Sequence, residues 1–336
     1  MNRIPTLDGW RGIALLLVLF DHFQDSLLGR YARPWTQTGQ HGVTIFFVLS
    51  GFLITTKLLE GPIDLKRFYL RRFFRLMPAA WTYLAVLILF DRLTGTRLIS
   101  IAGFRACFFF YRNYAGVAGS AITGHFWSLS LEEQFYLIWP CILLLAGIRR
   151  CRWIAIFVSI ACASYRWLFW AHYDHNLLNN KTQVRADALL VGCLLALLCV
   201  EPRVLPTIAR WSKLLVLPGC ACLVFCIATY AWLPPLYESV SIAGLIAFTT
   251  LHPSSRFAVP LQFPPLAWLG TVSYSVYVWQ ELFVPFHSLI ALFIVMPLVA
   301  LGSYYCIERP SIRVGRLIME ASARKLPEEK SALAFN

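Results

Sequence analysis

Arg11 and His22 stand eleven positions apart in the stretch LDGWRGIALLLVLFDH. At about 100° per residue, eleven steps close three turns, so the two side chains share one helix face, separated by about 16 Å along the axis. The residues between them are apolar, as in a segment that enters a bilayer. An ionisable group at membrane depth costs roughly 2.5 to 3.5 kcal/mol on insertion scales, and such groups usually face a protein interior or a water-filled cavity. The spacing suits a cationic anchor at the cytoplasmic edge with a titratable imidazole near the midplane. Imidazole is also the usual proton-transfer group near neutral pH. Packing offers plainer uses: Arg11 can snorkel to the interface, and His22 can make an interhelical hydrogen bond.

A second set of candidates lies further along the chain. Glu132 and Glu133 are adjacent and so point about 100° apart on a helix; only one can face His22 and orient it. The other would cap a helix or pair with arginine, and a buried interhelical ion pair is the structural alternative. Arg72 and Arg75 are neighbours on a helix surface, and two guanidinium groups so placed can grip a phosphate bidentately. An ordinary topogenic cluster accounts for Lys66, Arg67 and Arg71. Ser128 and Ser130 lack the Gly-x-Ser-x-Gly elbow of a serine nucleophile and read as packing or capping hydroxyls.

The elements that must position these residues are membrane helices. Of 336 residues, 58% are hydrophobic and only 14% charged, with a mean hydropathy of +0.63, which is the composition of a polytopic membrane protein and excludes a soluble enzyme. The net charge of +13 sits in clusters beside apolar runs, as the positive-inside rule requires, so no nucleic-acid partner is implied. Ten cysteines lie mostly within apolar runs, with no pair at zinc-ligand spacing. They read as packing residues, and no metal is implied. The first apolar run holds Asp21 and His22 and lacks a small-residue cleavage site, so it is not read as a signal peptide.

Apolar runs near 10–28, 41–59, 76–94, 128–147, 151–172, 187–200, 213–233, 237–251, 267–285 and 288–306 give about ten crossings, at roughly 20 residues each. The expected fold is therefore all-α, a polytopic membrane protein of about ten transmembrane helices enclosing a central polar cavity. Residues 1–316 form one transmembrane domain, and 317–336 a cytoplasmic tail. Lys57 to Arg75 is strongly basic and placed inside. If 98–112 is re-entrant or lies at the outer face, the later arginine clusters also fall inside and both termini are cytoplasmic. Glu132 and Glu133 then sit about 11 Å below the outer surface, at the height of His22, in a core of about 30 Å.

Seven stretches together carry a family resemblance. They are Arg11 with His22 at Arg-x10-His spacing, GVTIFFVLSGFLIT at 42–55, FYLRRFFRLMP at 68–78, HFWSLSLEEQFYLIWP at 125–140, RADALLVG at 185–192, LGTVSYSVYVW at 269–279 and ERP at 308–310. In this order they resemble the membrane-bound acyltransferase 3 family, bacterial inner-membrane O-acyltransferases acting on surface glycans. Where the family pattern SYSxYLxH ends in histidine, this chain has Gln280, an amide that still hydrogen-bonds.

The resemblance implies an acyl-CoA donor, acetyl-CoA or another, held by Arg72 and Arg75 with Arg11. The acceptor would be a hydroxyl on a carbohydrate or lipid-linked glycan such as lipopolysaccharide or exopolysaccharide. His22 would be the general base, oriented by Glu132 or Glu133, in a multi-pass protein of the cell inner membrane. Arg185 and Asp187, opening the seventh span from outside, would bind the glycan or pair with neighbouring charges. Glu308 would serve the donor site or simply end its helix. A transporter or flippase that moves a glycolipid or acyl group without chemistry is the competing class, and a lipid or small-molecule acceptor the competing substrate.

Overall fold

The computed structural model describes residues 4–29, 38–115, 120–169, 180–229 and 235–333. Their regular structure is helical, and it follows the apolar runs closely. α1 (Pro5–Leu28) begins on Pro5, whose fixed φ suits a first turn. α2 (Thr38–Leu59) follows. α3 (Leu65–Thr94) starts earlier than the apolar run suggests. Asp64 accepts a hydrogen bond from the Arg67 backbone N–H at 2.9 Å and so caps it. The basic stretch from Lys66 to Arg75 is therefore the first part of the helix, carrying its arginines on a rigid rod.

α4 (Ile101–Phe108) spans about 12 Å, too short to cross a bilayer. α5 (Phe126–Phe169) breaks at Gly147, whose φ of 72° lies where residues with a Cβ are disfavoured. Its two limbs overlap the runs 128–147 and 151–172, the second as far as Phe169. α6 (Thr182–Cys199), α7 (Leu205–Thr229), α8 (Pro235–Leu251) and α9 (Pro264–Trp279) complete the middle of the chain. α9 stops short of the expected residue 285 and gives way to tight turns over Gln280–Leu282 and Val284–Phe286. The final rod, α10 (Ala291–Ala321), contains wide π turns at Ala291–Val295 and Tyr304–Glu308. The backbone stays helical to Leu333, through the stretch expected to be an aperiodic tail.

Among the described residues α2, α3, α6 and α10 are long and apolar enough to cross a membrane, and bent α7 makes a fifth if its two parts are one span. That is fewer than the ten expected. α1 falls short on charge rather than length, since Asp8, Arg11, Asp21 and Asp25 all lie within it. The residues that make it chemically interesting are the ones that disqualify it. α8, with 17 residues, is short. Bulky apolar side chains such as Leu145, Trp167 and Leu93 are nonetheless 82%, 80% and 76% exposed. A surface so apolar requires a covering such as lipid.

The helices pack around α1 and α2. α1 lies against α2 and α9, α2 against α6, α5 against α6, α7 against α8, and α3 against the far part of α10. Two crossings are made by glycines. A Cβ on Gly51 would lie 1.9 Å from the Leu189 carbonyl oxygen, and one on Gly192 2.0 Å from that of Val48. α2 and α6 thus touch backbone to backbone, the small-residue packing that membrane helices favour. Gly270 does the same between α9 and Asp8 of α1.

Candidate active site

α1, α2, α3, α5 and α9 line a narrow, partly open chamber of about 80 Å³. Its walls include Arg11, Ser50, Arg72, Arg75, Ser128, Glu132, Tyr136, Tyr274 and Tyr277. Arg11, Arg72 and Arg75 also line a wider cleft of about 620 Å³, which Lys57, Arg67 and Arg71 make strongly basic against Asp8, Glu60 and Asp64. The structure thus brings together the three arginines chosen from the sequence. The helical start of α3 is what allows it, because Arg72 and Arg75 ride one face towards Arg11.

Within the chamber the side chains are held at short range. The Arg72 guanidinium stands 4.2 Å from the centre of the Tyr136 ring, a cation–π contact that fixes its plane. Ser50 Oγ donates to Glu132 Oε1 at 2.6 Å. Arg11 Nη1 lies 3.3 Å from Asp8 Oδ1. Higher in the wall, the Ser128 and Tyr277 hydroxyls are 2.6 Å apart. Tyr274 donates to the Leu76 carbonyl at 2.6 Å. Ser275 donates to Glu308 Oε2 at 2.7 Å, which places Glu308, in its π turn, against the serine-tyrosine segment of α9.

His22 belongs to a different level. Its Nε2 is 4.0 Å from Glu281 Oε1, and the same carboxylate is gripped by His125. The backbone N–H of His125 donates to Glu281 Oε1 at 2.8 Å, and its Nδ1 lies 3.1 Å from Oε2. The His125 ring is fully buried, flanked edge-on by the rings of Tyr83 and Tyr277. The pairing expected between His22 and Glu132 or Glu133 is not among the ion pairs of the described residues. Seven positions separate His125 from Glu132, about 10 Å of helical rise, so Glu132 sits with the arginines and Glu281 with His22. Glu133 lines neither cavity.

The reason for the difference is local. The chain before residue 128, with Ile122, Thr123, His125 and Phe126, is already buried, so it is His125 and Glu281, and not Glu132, that stand at the level of His22. Gln280, at the place of the family's histidine, is fully buried with both amide atoms without a hydrogen bond among the described residues. The acidic neighbour immediately after it is the residue that reaches the site. Its signal was an acid at the end of an apolar motif, and that of His125 was its place at the head of HFWSLSLEEQFYLIWP.

Arg185 and Asp187 lie at the start of α6, away from both cavities. Arg185 donates to Thr44 Oγ1 at 2.9 Å. Asp187 pairs with Arg166 at 3.0 Å, and Arg166 also donates to the Val184 carbonyl. Nearby, His41 Nδ1 and Glu238 Oε1 are 2.9 Å apart. Asp187 thus shows ion pairing and Arg185 a bond to a hydroxyl.

The chain is a helical, membrane-type protein with a charged, partly buried chamber. Residues 4–308 match the family described as Acyltransferase domain, acyltransferase 3, and the chain belongs to that family. It is 31% identical to "Peptidoglycan O-acetyltransferase OatA" of Listeria monocytogenes, over 82% of this chain and 49% of that protein. It is 32% identical to "Putative peptidoglycan O-acetyltransferase YrhL" of Bacillus subtilis, over 91% and 54%. The chain thus spans about half the length of these curated relatives. No solved structure matches it.

Proposed function

We propose that this chain transfers an acyl group, acetyl in the first instance, from a cytoplasmic acyl-CoA to a hydroxyl of a cell-envelope carbohydrate. The observation that supports the reading is the chamber itself, whose lining joins Arg11, Arg72 and Arg75 to the hydrogen-bonded Ser128 and Tyr277; His22 lines neither cavity. The basic cleft offers guanidinium and ammonium groups to the phosphates of a CoA thioester, and Arg11 stands where it can stabilise a developing thioester oxyanion. His22 takes the acceptor hydroxyl proton, a step that typically contributes about 10² to 10⁴-fold. The names of the relatives favour a cell-wall glycan as acceptor, with lipopolysaccharide and exopolysaccharide as acceptors of the same chemistry.

The ten-crossing topology with cytoplasmic termini in the bacterial inner membrane belongs to the same proposal. α1, α2, α3, the two limbs of α5, α6, α7, α8, α9 and α10 supply ten rods, and the positive-inside rule orients them. Purified protein in lipid nanodiscs, given acetyl-labelled acetyl-CoA and glycan acceptor, should form an alkali-labile ester and release free CoA. His22→Ala should abolish ester formation while CoA binding persists. Full ester formation by that variant overturns the assignment of the base, and label crossing a vesicle without ester formation would make the chain a transporter.

A further inference from the structure

Glu281 has more contacts than a helix-end acid needs. It lies just past α9, where the helix stops at Trp279, and its carboxylate is one-tenth exposed. One oxygen accepts the His125 backbone N–H and the other faces His125 Nδ1. The floor beneath it is Gly124, where an added Cβ would lie 3.0 Å from Oε2 and 3.2 Å from Oε1. Residues 124–125 thus meet both oxygens, by a hydrogen bond at Oε1 and by a 3.1 Å approach without hydrogen-bond geometry at Oε2, and His22 Nε2 lies 4.0 Å from Oε1. On the other edge of that imidazole, Nδ1 is buried and has no hydrogen-bond partner.

We propose that Glu281, held by His125 and Gly124, is the positioning residue for His22: it orients the imidazole and stabilises the imidazolium that forms as the base takes its proton. The proposal rests on the acyl-transfer reading above. A carboxylate hydrogen-bonded to one ring nitrogen fixes the tautomer and orientation of the imidazole and stabilises the imidazolium that forms. The 4.0 Å separation is long for a hydrogen bond, as such contacts often are before substrate binds. In the reaction the acceptor O–H proton passes to the His22 imidazole, the acceptor oxygen bonds to the thioester carbonyl carbon, and the C–S bond breaks. The imidazolium then returns the proton to the departing thiolate, so no other reactant is needed.

The test is steady-state acetyl transfer by the full chain in nanodiscs, with thermal unfolding of each variant as control. Glu281→Gln keeps the shape and loses the charge, and should lower kcat by about 10²-fold or more with KM for acetyl-CoA unchanged. His125→Ala should lower kcat by about tenfold, and His125→Asn, which keeps a donor near the Nδ1 position, should restore most of it. Gly124→Ala, at an ordinary helical φ of −55°, should lower kcat several-fold by displacing the carboxylate. A purely structural role for these residues would move stability, or kcat and KM together, and would show no rescue by asparagine. If His22→Ala is inactive while Glu281→Gln retains wild-type kcat, the positioning proposal fails and the base survives. If His22→Ala is itself active, the underlying reading fails.

Discussion

Two arginine clusters occupy this molecule, and they are built on opposite principles. Arg166 and Arg185 are almost completely buried and are spent on protein partners, Asp187, the Val184 carbonyl and Thr44. Arg72 and Arg75 are turned into a cavity, with an aromatic face rather than a carboxylate steadying Arg72. Sequence position alone treats both as charges near apolar spans. What separates them is whether partners are supplied from within the fold, a carboxylate for Arg166 and a hydroxyl for Arg185. A guanidinium so committed holds helices together, and one turned into a cavity is available to an anionic ligand.

The largest effect that would break this contrast is at the buried pair. Asp187→Ala leaves Arg166 charged and uncompensated, and such a deletion typically costs about 3 to 5 kcal/mol. The expected result is a large drop in unfolding temperature of the purified protein, with KM for acetyl-CoA in the surviving fraction unchanged. A variant that unfolds like the wild type but fails to use acceptor would move Asp187 from scaffold to substrate site. Next in size, Arg72→Ala combined with Arg75→Ala should leave unfolding unchanged and weaken acetyl-CoA binding by about 10- to 100-fold, given roughly 1.5 to 3 kcal/mol for hydrogen bonds to charged groups. Unchanged binding of acetyl-CoA would remove the donor assignment.

Much of this organisation was legible in the residues. The Arg-x10-His spacing, the basic stretch before residue 76 and the break near residue 147 all reappear in the fold, because helix period and charge placement are local properties. The partnership of His22 was not legible. Which acid reaches it depends on where α9 ends and on how deep the chain before α5 is buried, and neither has a periodic signature. The same holds for Arg166 and Glu238, whose partners are set by helix neighbours distant in the chain. The glycines were visible within the motifs, yet their purpose required the crossing of α2 and α6. Gly192→Ala should cost about 1 to 3 kcal/mol through forced separation of those helices, read as a lower unfolding temperature. It acts on the face that carries Ser50 and Arg185, so it tests whether the two clusters share one rigid support.

The smallest expected effect is the most specific to the open cluster. Ser50 reaches across from α2 to Glu132 at 2.6 Å, and this is the chamber's counterpart to the bond from Thr44 to Arg185 at 2.9 Å on the same helix. Both are single hydroxyl contacts, worth about 1.5 to 3 kcal/mol when the partner is charged. The Thr44 hydroxyl accepts from an arginine committed to the fold, so Thr44→Val should register in unfolding temperature alone. The Ser50 hydroxyl holds a carboxylate that faces the space where the donor is proposed to lie, so Ser50→Ala should lower kcat or raise KM by a few-fold to tenfold in addition to a loss of stability like that of Thr44→Val. If the two variants instead behave alike, both losing stability and neither altering the kinetics, Glu132 is as structural as Asp187. The working end of the chamber would then reduce to its arginines.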